Sequence, residues 1–94
     1  MSGPGGGLVA DPRDTADWAC RISERLPAAD VRRLAQTALA GEPGVRQLRA
    51  TAGSVILRDA CDQLLRRLVY AEPLYVSGLL AGAAHAVSRA RQHQ

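Results

Sequence analysis

Prolines at positions 12, 27, 43 and 73 constrain this chain more than any other feature. Each pushes the residue before it toward extended backbone, and none fits a helix interior without breaking it. Between them, apolar side chains return every three or four residues, which is the period of a helix and not the alternation of a strand.

Asp11-Pro12 opens a first predicted helix reaching about Leu26, with Asp11 as cap and proline at the first helical position. Trp18, Ile22 and Leu26 recur on one face, with Ala19 and Cys20 beside them. Pro27 ends that helix and starts a second, about Ala28 to Ala40, whose stripe is Val31, Leu34, Ala35, Ala38 and Leu39. Gly41 can take the left-handed conformation that closes it. Glu42-Pro43-Gly44 reads as a turn, leaving Val45 to Thr51 as a short third helix with Val45 and Leu48 inward.

Ser54 is the expected cap of a fourth helix running to about Val69. Its stripe is Leu57, Ala60, Cys61, Leu64 and Leu68, flanked by Ile56 and Leu65, with Arg58, Asp62 and Arg66 on the opposite side. Glu72-Pro73 opens a fifth helix to about Arg91, which carries Arg89 and Arg91 near its C-terminal end as the helix dipole prefers.

Ninety-four residues suffice for one core, and with 47% apolar residues, many alanines and no Phe that core suits close helix packing. The expected fold is therefore all-α, a compact bundle of about five helices forming one domain over residues 11–94. The opening MSGPGGGLVA, residues 1–10, is too poor in apolar surface to order itself and is expected to be disordered. The sequence shows neither a secretory signal nor an apolar run of the ~20 residues that span a bilayer, so a cytoplasmic location is expected, with no membrane partner.

Catalysis needs a nucleophile, a base and a group that stabilises developing charge, and no spacing here assembles them. His85 stands without a Ser, Cys or carboxylate spaced to meet it. Asp59 and Asp62 lie among arginines as a solvated ion-pair face would. Cys20 and Cys61 read as buried free thiols, and with only His85 and His93 to join them no metal-ligand spacing appears. The glycine-rich opening lacks the lysine of a phosphate loop. No enzyme activity, cofactor or metal is therefore expected.

Two surfaces remain. Gly78, Gly82 and Ala86 recur every four residues along the fifth helix, leaving a groove for a close helical neighbour. That neighbour is either the fourth helix of the same bundle or a partner, which makes a protein partner or self-association the expected interaction. Arg32, Arg33, Arg46 and Arg49 cluster on the second and third helices around a short turn, an arrangement open to a small helix-turn-helix DNA-binding regulator. The net charge of +3 supports nucleic-acid contact only weakly, since all twelve basic residues are Arg, as GC-rich coding favours.

The run Arg25 to Ala35, then Ala40-Gly41, Leu64-Leu65 and Gly78-Leu79-Leu80-Ala81-Gly82-Ala83, resembles the helical N-terminal region of the phospholipase D-like protein of DISARM anti-phage systems. The likeness covers about residues 16 to 94, and the closing Ala86 to Gln94 is similar to the run that precedes that family's first strand. The resemblance implies a bacterial accessory module of antiviral defence. It carries over no catalytic residue, because the family's His-x-Lys-x-x-x-x-Asp signature needs a lysine and this sequence has none. The layout is also similar to death-like or effector-associated adaptor domains, which join defence components through like-with-like contacts.

Overall fold

The helix signals act locally, and the chain obeys them closely. The computed structural model describes residues 12–92. Among these are five helices and no strand: α1 (Pro12–Arg25), α2 (Ala28–Leu39), α3 (Gly41–Thr51), α4 (Val55–Leu68) and α5 (Pro73–Gln92). The expected disorder of residues 1–10 and the capping by Asp11 lie outside the described residues.

Ser54 caps α4 as expected, its hydroxyl oxygen accepting from the Leu57 backbone N–H at 3.2 Å. Pro27 separates α1 from α2, and its carbonyl accepts from Asp30 and Val31 to start the new helix. Gly41 has φ +78°, the left-handed conformation that glycine adopts without strain.

The third helix departs from expectation. Glu42-Pro43-Gly44 is its first turn and not a separate loop, so α3 has 11 residues. Proline is tolerated there because the first-turn N–H groups have no helical acceptor. Gly44 is what permits it. A Cβ at that position would sit 2.6 Å from the Ala40 Cβ and 3.3 Å from the Thr37 carbonyl oxygen.

The core gathers the predicted stripes. Trp18 and Ile22 of α1, and Leu26 just beyond it, meet Val31, Leu34, Ala35 and Ala38 of α2, Val45 and Leu48 of α3, and Leu57, Ala60, Cys61 and Leu64 of α4. Helix α2 is central and touches all four others. Three stripe assignments are corrected. Leu39 is 55% exposed and Ile56 41% exposed, because each lies at a helix end beyond its neighbours' reach. Cys20 is exposed, not buried, since α1 turns Trp18, Ala19 and Ile22 inward and places Cys20 about 100° away from Ala19.

A polar clamp fastens α1 to α4. The Trp18 indole N–H donates to the Gln63 side-chain oxygen, Gln63 donates in turn to Asp59 at 2.8 Å, and the Arg67 guanidinium lies 4.6 Å above the indole ring. Arg67 also reaches Asp14 at 3.2 Å, so a charge on α4 covers the aromatic anchor of α1.

Candidate interaction surface

Helix α5 is held by its inner face. Val76, Leu80 and Ala84 are fully buried, Ser77 and Ala83 nearly so, and the helix lies along α2 and against α1 while touching α4 only marginally. The small-residue groove consequently does not seat α4. Beyond its chain neighbours and the backbone of its own helix, an added Cβ at Gly78 or Gly82 would meet no atom within 4 Å, and Ala86 is exposed.

Helical geometry explains why these residues share the outer side. At 100° per residue, Tyr75, Gly78, Gly82, Ala86 and Arg89 fall within one arc of about 80°, while Val76, Leu80 and Ala84 occupy the opposite one. The outer arc is level at its middle and raised at both ends. Tyr75 stands at the N-terminal end, with Leu74 beside it, and Arg89 at the C-terminal end.

The turn from α4 into α5 adds apolar surface outside the helical stripes. Val69 is 84% exposed and Leu74 74% exposed, with Tyr70 and Tyr75 partly so. The signal was present in the sequence, because Val69, Tyr70 and Leu74 fall off the stripes of both flanking helices.

The flank of the same helix, with Ala86 at its border with the outer arc, forms an open groove with α1, lined by Cys20, Glu24, Ala83, Ala86, Val87 and Arg91. His85 is exposed on α5. No group of three or more His, Cys, Asp and Glu among the described residues could hold a metal ion. Cys20 and Cys61 are free thiols in opposite settings. Burial pushes the Cys61 thiol above the usual range, reinforced by Asp62 and opposed by Arg49 and Arg33.

The four arginines are differently engaged. Arg46 pairs with Glu42 one turn earlier at 2.6 Å, and Arg49 crosses to Asp62 of α4 at 2.6 Å. Arg32 makes a long contact of 3.4 Å to the Ser88 hydroxyl of α5. Arg33 lines a shallow polar groove with Gln36, Thr37 and Gln47 between α2 and α3. Two of the four guanidinium groups therefore already hold carboxylates, which lessens what they can offer a phosphate.

No helix among the described residues is long and apolar enough to cross a membrane. Comparison with protein-family models, curated proteins and solved structures finds no match to this chain.

Proposed function

We propose that this chain is a non-catalytic helical interaction module whose contact surface is the outer face of α5. The observation that carries this reading is the empty space over Gly78 and Gly82, framed by exposed Leu74 and Tyr75. Glycine in an exposed helix costs about 1 kcal/mol against alanine, and nothing within the bundle requires it at either position. A helix brought against that level strip approaches closely, with Leu74 and Tyr75 as apolar anchors at one end.

The likeness of Arg25 to Ala35 and of Gly78 to Ala83 to the helical region of DISARM phospholipase D-like proteins supports a role in bacterial phage defence, as an accessory that packs on a partner. That role is intracellular, and it needs neither a cofactor nor a nucleic acid.

A photo-crosslinking amino acid placed at Gly78 in cells tests the module reading, with Gln47 on α3 as the control position. The expected result is a discrete protein adduct from position 78 that is absent from position 47. Adducts indistinguishable between the two positions, or none from either, overturn it. Fluorescence anisotropy with duplex DNA forms a second arm. Low-salt binding abolished by R32A/R33A would favour a DNA-binding regulator instead.

A further inference from the structure

We infer that the occupant of the outer α5 face is a second copy of this chain, paired antiparallel about a two-fold axis at Gly82; this rests on the module reading above. The residues on the face are spaced symmetrically about that glycine. Gly78 and Ala86 lie four positions to either side, and Tyr75 and Arg89 lie seven.

A two-fold interface requires this kind of spacing, since the residue k positions before the axis must meet the residue k positions after it. Gly82 then crosses Gly82, Gly78 meets Ala86 of the second copy, and Tyr75 meets Arg89 of the second copy. The small residues let the backbones approach at the centre, and at each end a guanidinium lies over an aromatic ring.

Charge favours the same occupant. Glu72 stands exposed just before the N-terminal end of the face and Arg89 stands exposed near its C-terminal end. Neither joins the ion pairs formed among the described residues. A partner of one sign would suit one end and oppose the other. A reversed copy brings Glu72 within reach of Arg89 twice, because their offset of three residues is about 4.5 Å along the axis.

One helix pair lies near the lower end of specific interfaces, about 1,000–1,200 Å² in total, so a weak, concentration-dependent dimer is expected. Sedimentation of the full chain from 5 μM to 1 mM reads it. The wild type should shift from monomer to dimer, and Gly82→Leu should weaken the dimer at least tenfold with no fall in melting temperature. R89E should weaken it severalfold, and the swap E72R/R89E should restore it without relying on how Gly82→Leu folds.

Orientation is read in a Cys20→Ser background by mixing Y75C and R89C chains under mild oxidation, where the 75–89 crosslink should exceed 75–75 and 89–89. A wild type that stays monomeric at 1 mM, a Gly82→Leu variant that dimerises as tightly, or dominant 75–75 crosslinks overturns self-pairing. If the wild type is monomeric while Gly78 still gives a discrete adduct with another protein, self-pairing fails and the module reading stands. Absence of both dimer and adduct removes both.

Discussion

The corner between α2 and α3 and the outer face of α5 both carry helical glycines, for opposite reasons. At the corner Gly44 is required, since a Cβ there would press on the Ala40 Cβ and approach the Thr37 carbonyl oxygen. On α5 a Cβ at Gly78 or Gly82 would enter open space. The first glycine is explained wholly within the molecule; the other two weaken a helix with no internal return. Glycine in a helix therefore has no single meaning, and the distance to the nearest neighbour distinguishes a packing requirement from a surface available to a partner.

The largest expected effect sharpens the contrast between the two sides of α5. Leu80 is fully buried on the inner face, so L80A should cost about 2–5 kcal/mol, read as a lower urea midpoint. A loss below 1 kcal/mol would mean that α5 does not anchor the bundle.

At the corner, G44A should destabilise by about 1–3 kcal/mol, because the obstructing atoms are a short side chain and a backbone carbonyl that cannot swing aside. On the outer face, G82A should raise stability by up to about 1 kcal/mol in the monomer, measured by thermal melting at low protein concentration. Opposite signs at positions 44 and 82 are the outcome that upholds the comparison. Destabilisation at both would break it.

The cysteines repeat the contrast on a smaller energetic scale. Cys20 should react with a thiol reagent in the folded protein at neutral pH, whereas Cys61 should react only on unfolding. The Cys61 thiol is raised in the folded state, chiefly by burial, so both states hold its proton below the usual thiol range. As pH rises through that range the unfolded chain releases the proton first, so stability falls from there upward. The urea midpoint should therefore decline more steeply between pH 8 and 10 in the wild type than in C61A.

Much of the fold is legible in the residues themselves. Pro27, Gly41, Ser54 and Pro73 mark helix boundaries through restrictions on their own or adjacent backbone, and the structure follows them. The exception, Glu42-Pro43-Gly44, could not be read as helix from local chemistry alone, because proline and glycine announce a turn unless packing at Ala40 and Thr37 draws them into the first helical turn. The candidate interface was legible as a pattern of small residues, but not as a surface.

What the sequence determined by itself is the number of helices and the inward stripe of the amphipathic ones, such as Leu57, Ala60, Cys61 and Leu64 in α4, because capping and periodicity act within a few residues. Only the tertiary structure decided which helices meet. Helix α5 is apolar or small around much of its circumference, so periodicity could not select its buried side, and packing on α2 and α1 instead of α4 turned Gly78 and Gly82 outward. The same long-range packing paired Arg49 with Asp62 and exposed Cys20. Such outcomes depend on which surfaces bury together, a property no single segment encodes.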